Sequence, residues 1–283
     1  MSDTTQERQA EGGIHYGAAP EVKRRHRAMW ALGDYPTVAA DLVTPLGHVL
    51  VDACRVARGD RVLDIAAGTG TVAIPAARVG ARVTASDLTP ELLAAGERLA
   101  RTERLDVTWE EADAESLPHP DGAFDVTTSC LGVMFAPFHQ AAADELVRVT
   151  RPDGRIGLVS WTPEGFIGEL FATMGPYAPP PPPGSQPATL WGAPDHVRGL
   201  LGDRVDDVEA TRAHLVVDRF ADGAAFRDYF KSRYGPTIAV YGSLADAPDR
   251  VASLDAALAD LGDRHLTGGA MAWEYLLLTA RRR

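Results

Sequence analysis

Three acidic residues recur at matching places in a series of short apolar segments: Asp64, Asp87 and Asp113. The first lies in Val62-Leu63-Asp64-Ile65-Ala66-Ala67-Gly68-Thr69-Gly70, an apolar strand running into a Gly-x-Gly turn that opens a helix. Glycines in such a turn let the backbone approach a ligand at the carboxyl end of the strand, where doubly wound sheets bind their ligands. Asp87 closes the next strand at the spacing suited to an acid that receives two ribose hydroxyls. Asp113-Ala114-Glu115 follows the third strand. Taken singly, Asp87 reads as a helix cap and Asp113 as a loop acid. Coinciding after the second and third strands of one glycine-turn unit, they read as a binding site.

The elements that must hold these acids follow from hydrophobic periodicity. Helices are expected over Glu21 to Leu32 and Pro36 to Cys54, before the first strand, Arg61 to Ala66. Strands over Ala81 to Ser86, Asp106 to Glu110, Phe124 to Ser129 and Gly154 to Trp161 alternate with helices over Thr71 to Val79, Pro90 to Arg101 and His139 to Thr150. That alternation predicts an α/β fold with a mostly parallel sheet covered on both faces. Thr89 and Pro90 mark a helix start as N-cap and first helical residue. After a helix near Phe166 to Met174 comes Pro179 to Pro183, which reads as an extended surface spacer. Two last strands are expected around Asp206 to Val217 and Ala272 to Ala280, with a helical insertion between them. The chain divides accordingly into a disordered 1–13, an N-terminal helical cap 14–58, a binding core 59–161, a proline-rich excursion 162–204, and 205–283 with the insertion at about 222–261.

Composition narrows the function. Among 283 residues, 28 Lys and Arg face 39 Asp and Glu, a net charge of −11. A polyanion meets repulsion over most of such a surface, so nucleic acid is not the expected partner. The basic run Lys23-Arg24-Arg25-His26-Arg27 reads as a solvated helix face. The polar start and the lack of a membrane-length apolar run point to a soluble, cytoplasmic protein. Cys54 and Cys130, the two cysteines, read as free thiols. Sparse lysine beside abundant Arg and Ala is the bias of a GC-rich bacterial genome.

The ordered segments VLDIAAGTG, TASDLTPELL, EADAESLPHPDGAFD, LGVMFAP and RVTRPDGRIGLVSW resemble the motifs of class I S-adenosylmethionine-dependent methyltransferases, within the broad group similar to quinone-biosynthesis C-methyltransferases. The resemblance covers Val62 to Trp161, about a third of the chain. It implies a Rossmann-like sheet of seven strands with the last antiparallel, and S-adenosylmethionine as cofactor. It implies that Asp64, Ala66, Gly68 and Gly70 hold the methionine part, that Asp87 takes the ribose with Leu88 near the adenine, and that Asp113 and Ala114 meet the adenine edge. Ser129 and Cys130 would face the methionine ammonium with their backbone. Trp30 to Tyr35 resembles a segment that closes over the cofactor, which makes Tyr35 a further contact. His119 stands where the family often has an aromatic residue.

Charge supports that cofactor over a dinucleotide. A pyrophosphate wants helix-end donors with no carboxylate beside them, whereas methionine brings an ammonium and a sulfonium that suit Asp64. Methyl transfer needs the acceptor in line with the S–CH3 bond, and holding that geometry supplies about 7 kcal/mol or more of the barrier. A protein base is therefore optional; His139 is the candidate, its plainer reading being an exposed residue at a helix start. No closely spaced metal ligands are present. Aromatic residues outside the core, among them Trp30, Trp161, Phe166, Tyr234 and Tyr241, are expected to line an apolar small-molecule site. The insertion reads as a lid that brings Tyr234 or Tyr241 to the transferred methyl, with a homodimer interface as the competing use of those aromatics. The rival functions are an NAD-dependent oxidoreductase on the same sheet and a non-methylating S-adenosylmethionine-binding protein.

Overall fold

A computed structural model of the chain describes residues 20–283. The disorder expected for 1–13 lies outside the described residues. Seven strands form one sheet: β1 (Arg61–Ile65), β2 (Arg82–Asp87), β3 (Val107–Glu111), β4 (Phe124–Cys130), β5 (Thr150–Trp161), β6 (Val205–Val217) and β7 (Met271–Arg282). Their spatial order is β3-β2-β1-β4-β5-β7-β6. Pairing is parallel from β3 through to β5, whereas β7 runs antiparallel to both β5 and β6. The last strand is thus the antiparallel one, inserted next to the edge strand β6. The direction of connection reverses between β1 and β4, and such a switch point opens a crevice at the carboxyl ends of the two strands.

Sequence explains the sheet. In β1, Val62, Leu63 and Ile65 are buried along with Asp64, the burial of a strand covered on both faces. The crossovers carry α4 (Ala73–Arg78), α5 (Pro90–Thr102) and α6 (His139–Val149). Strand β5 begins earlier than Gly154. Thr150 pairs with Phe124 and Arg155 with Val126, so the Pro152-Asp153-Gly154 turn bulges out within the strand, with Asp153 at φ 58°.

The N-terminal helices differ from expectation in one respect. After α1 (Pro20–Trp30), the stretch read as a single helix is divided into α2 (Tyr35–Val38), a π-helical turn Ala39–Val43, and α3 (Thr44–Ala53). Pro45 has no N–H to offer the ladder, and the Thr44 N–H reaches back five residues to the Ala39 carbonyl. The wider turn is the local response to that missing donor.

Beyond β5, α7 (Phe166–Met174) and α8 (Pro194–Leu201) flank the proline run, which carries neither helix nor strand. The insertion holds α9 (Gly223–Arg233), α10 (Gly235–Ser243) and α11 (Pro248–His265), reaching slightly past the expected Leu261. Asp222 caps α9, its carboxylate accepting the Ala225 N–H at 2.7 Å, as an N-cap acid does. Phe166, Phe226 and Phe230 pack with Trp273 of β7, so the insertion shares a core with the sheet. Tyr229 donates to Asp41 at 2.8 Å, and the Asp34 N–H to the Arg233 carbonyl at 3.0 Å. These bonds clasp the insertion to the N-terminal helices. Among the described residues no helix is long and apolar enough to cross a membrane.

Candidate active site

The turn after β1 builds the first wall. Ala66 (φ 52°) and Gly68 (φ 56°) both lie in the left-handed region, which glycine adopts freely and alanine only under constraint. The constraint comes from β2: the Ala67 N–H donates to the Ser86 carbonyl at 2.9 Å, and the Gly68 N–H to Asp87 Oδ2 at 2.8 Å. The other Asp87 oxygen accepts the Thr89 N–H at 2.8 Å. Thr89 is the N-cap of α5 by position, but its own side chain makes no capping bond. Burial raises the Asp87 carboxyl above its ordinary range, opposed by these N–H donors.

The turn after β4 builds the second wall. Leu131 (φ 58°) and Gly132 follow Cys130, and a Cβ at Gly132 would stand 2.3 Å from the Ala66 carbonyl oxygen. The Ser129 hydroxyl donates to the Ile65 carbonyl at 2.6 Å and accepts the Val133 N–H at 2.8 Å, stitching the two turns together. The third wall follows β3, where the Ala112 N–H binds the Asp87 carbonyl at 3.0 Å and brings Asp113 and Ala114 to the cleft.

The roof comes from α1 and the start of α2. Lys23, His26 and Trp30, spaced three and four apart on one helical face, line the cleft together with Tyr35. A Cβ at Gly68 would touch the Tyr35 ring at 3.6 Å, so that ring lies over the glycine turn. Lys23 pairs with Asp113 and Glu115 at 2.7 and 2.9 Å. Burial lowers the His26 imidazole and raises the Tyr35 phenol. The cleft together with its open mouth spans about 740 Å³.

A second, smaller chamber adjoins it, sharing Trp30, Tyr35, Leu131 and Phe135. Its remaining lining is aliphatic or aromatic, from the π-helical turn (Leu42, Val43), the sheet (Trp161, Trp273) and the insertion (Phe230, Tyr234). Trp273 carries a buried indole N–H with no partner among the described residues.

Of the residues expected to meet the cofactor, the cleft gathers Tyr35, Ala66, Gly68, Asp87, Leu88, Asp113, Ala114 and Cys130. Asp64, Gly70 and Ser129 are not among its lining residues. The Asp64 carboxylate turns inward instead, accepting the Ala73 N–H at 2.9 Å and the Thr128 hydroxyl at 3.3 Å, and burial pushes it up to about 7. It fixes the start of α4, where a carboxylate is favoured.

Of the expected acceptor-side residues, Trp30, Trp161 and Tyr234 line the second chamber, while Phe166 and Tyr241 line neither cavity. Phe166 stacks on Trp273 at 5.2 Å. The Tyr241 hydroxyl donates to Asp255 at 2.6 Å, with the Lys231 ammonium over its ring. His139 is neither exposed nor in the cleft. It is fully buried, its Nδ1 2.9 Å from His196 Nε2 and its ring 5.5 Å from that of Trp191.

Reading the basic run as a solvated face holds for Arg24 and Arg25, which are exposed. It misses Lys23 and His26, whose shared face with Trp30 was the available signal. Leu131, Phe135 and Trp273 were not named as site residues, since an apolar side chain carries no local mark of a cavity.

The lining fits S-adenosylmethionine. Asp87 and Asp113 offer acceptors to ribose hydroxyls and an amino group, the left-handed turn leaves room for a ligand against the backbone, and Tyr35 offers a flat surface. A pyrophosphate would meet two carboxylates, while Lys23 is already engaged by acids. Comparison with known proteins agrees. A methyltransferase domain model matches residues 62–154. The uncharacterised protein Rv1403c of Mycobacterium tuberculosis is 52% identical over 91% of this chain and 94% of its own length. A demethylmenaquinone methyltransferase of Thermus thermophilus is 40% identical over 39% of this chain and 52% of its own length. The crystal structure of the YcgJ protein of Bacillus subtilis superposes with a TM-score of 0.57 at 19% identity, covering 84% of this chain and 97% of that one. The chain belongs to one family with the mycobacterial protein, and it is a class I S-adenosylmethionine-dependent methyltransferase with S-adenosylmethionine as its cofactor.

Proposed function

We propose that the chain methylates a small, apolar molecule held in the second chamber, with the cofactor in the adjoining cleft. The observation that carries this reading is the shared wall: Trp30, Tyr35, Leu131 and Phe135 border both cavities. Cys130 and Asp87 would hold the methyl donor on one side of that wall, and the chamber would hold the acceptor on the other. The lining of the chamber contains no carboxylate, amine or imidazole, so an apolar acceptor gains most from entering it.

When bound in the cleft, the cofactor would supply an electrophilic methyl group on a sulfonium. The residues of the chain contribute position and dryness. Tyr35 and Tyr234 carry phenols that burial holds far above neutral pH, so they donate hydrogen bonds and do not take protons. The Cys130 thiol is likewise pushed up by burial and stays protonated. His139 has no part in this reading. The proton leaves the acceptor to solvent, and the catalytic contribution is alignment of the reacting pair.

The test is calorimetric titration with S-adenosylmethionine, S-adenosylhomocysteine and NAD, followed by an assay for S-adenosylhomocysteine release across neutral aromatic, neutral aliphatic and charged acceptors. Binding of the two sulfur ligands but not NAD, with release only for neutral apolar acceptors, is expected. Release confined to charged, polar acceptors would sink the chamber assignment.

A further inference from the structure

Lys23 is one of two lysines in the chain, and its side chain is only 12% exposed. A lysine between two carboxylates is an ordinary way to fasten a helix, and alone it points to no ligand. The distribution of its hydrogen bonds says more. An ammonium has three donors. Among the described residues two are taken, by Asp113 Oδ1 at 2.7 Å and Glu115 Oε2 at 2.9 Å, leaving one N–H. Asp113 Oδ1 also accepts the Glu115 N–H at 3.0 Å, while Asp113 Oδ2 has no partner among the described residues. Lys23 and Asp113 both line the cleft. The ion pair thus leaves one donor and one acceptor on two residues that border the same space.

Adenine is the complement of that pair. Its amino group donates, and the ring nitrogens flanking it, N1 on one edge and N7 on the other, accept. Resting on the placement of the cofactor in this cleft, we propose that Lys23 is a specificity residue: its free N–H binds the adenine ring nitrogen beside the amino group, while Asp113 Oδ2 takes the amino proton. The roof helix then reads the base directly as well as covering it. The clasp by Asp113 and Glu115 aims the ammonium, so little side-chain entropy is lost when the base arrives.

The experiment is calorimetry with S-adenosylhomocysteine and its 1-deaza and 7-deaza analogues, each replacing one ring nitrogen by C–H. The wild-type protein is compared with Lys23→Met, which keeps the stem and loses the ammonium, and with Lys23→Arg. In the wild type, one of the two analogues is expected to bind at least about tenfold more weakly than S-adenosylhomocysteine, the scale of a charge-assisted hydrogen bond. Which analogue it is identifies the edge. In Lys23→Met that discrimination disappears, because the natural ligand weakens to the level of the analogue. Lys23→Arg restores part of it. If Lys23 only fastens the helix, Lys23→Met weakens all three ligands by one factor, and this result overturns the proposal. Equal affinity of the wild type for all three also overturns it, with no need for a folded variant. Failure of the wild type to bind any of them strikes instead at the cofactor placement on which the proposal rests.

Discussion

Gly132 and Ala66 meet across the switch point of the sheet, with no room between them for a single extra carbon: a Cβ on Gly132 would lie 2.3 Å from the Ala66 carbonyl oxygen. Ala66 is itself held at a positive φ, so it cannot yield cheaply. The two walls of the cofactor cleft are therefore one mechanical unit. Gly132→Ala is expected to force them apart, costing about 1 to 3 kcal/mol as overpacking does and removing measurable S-adenosylhomocysteine binding. Thermal unfolding and calorimetry check both; a folded variant with wild-type affinity would contradict the account.

Asp87 has two tasks, since its oxygens already hold the Gly68 and Thr89 N–H groups before any ribose arrives. Asp87→Ala is expected to weaken cofactor binding by about 1.5 to 3 kcal/mol, the range for hydrogen bonds to a charged group, and to lower the melting temperature of the free protein. Asp87→Asn keeps one accepting oxygen and should fall between. Unchanged affinity in a folded Asp87→Ala protein would remove Asp87 from the site.

The two tyrosines proposed for the insertion separate cleanly. Tyr234 borders the chamber and meets Trp30 edge-on at 5.8 Å, whereas Tyr241 is spent on Asp255 and Lys231. Tyr234→Ala is expected to raise the acceptor KM several-fold or lower kcat at constant cofactor affinity. Tyr241→Phe should change neither, and cost at most about 1 kcal/mol of stability through its lost hydrogen bond. Steady-state kinetics with an identified acceptor would show the reverse pattern if Tyr241 were the chamber residue.

Burial pulls the His139 imidazole down to about 4, with His196 adding to the effect. The folded value lies below the unfolded one, near 6.5. The stabilising contribution of the neutral ring is therefore complete above about pH 6.5 and is lost as pH falls toward 4, because in that window the unfolded chain binds more protons. The whole effect is at most about 3 kcal/mol. His139→Asn is expected to flatten the decline of stability across that window, with a residual slope from His196, whose ring burial also lowers. Denaturant midpoints measured from pH 4 to 7 decide it; parallel curves for the two proteins would show that His139 does not titrate there.

Legibility in the sequence followed the range of the interactions involved. Strands and crossover helices were readable because periodicity is local, and α7 coincides with the expected Phe166 to Met174. The glycine turn and Asp87 were readable because each sits in a short local motif, whereas the motif carrying the turn also put forward Asp64, whose inward hydrogen bonds leave it outside the cleft. In the roof, Trp30 and Tyr35 were legible through the resemblance but Lys23 was not, since its partner lies 90 residues away and a basic run looks the same whether it faces water or a distant carboxylate. His139 failed for the same reason: its burial depends on His196 and Trp191, which arrive through the proline-rich excursion. The π-helical turn left a trace in Pro45, but periodicity alone reads through it.

The clasp between Tyr229 and Asp41 spans 188 residues, and Trp273 enters the chamber from the final strand. During synthesis, then, a ribosome releases the floor of the cofactor cleft long before the acceptor chamber has all its walls. Contacts of such separation close late, after the loop entropy between them has been met. Until Trp273 emerges, Trp161 lacks the ring it meets at 5.9 Å and one wall of the chamber is missing, and a nascent chain exposing such apolar surface is open to aggregation or chaperone capture. The finished chamber thus forms only after Trp273 has been synthesised.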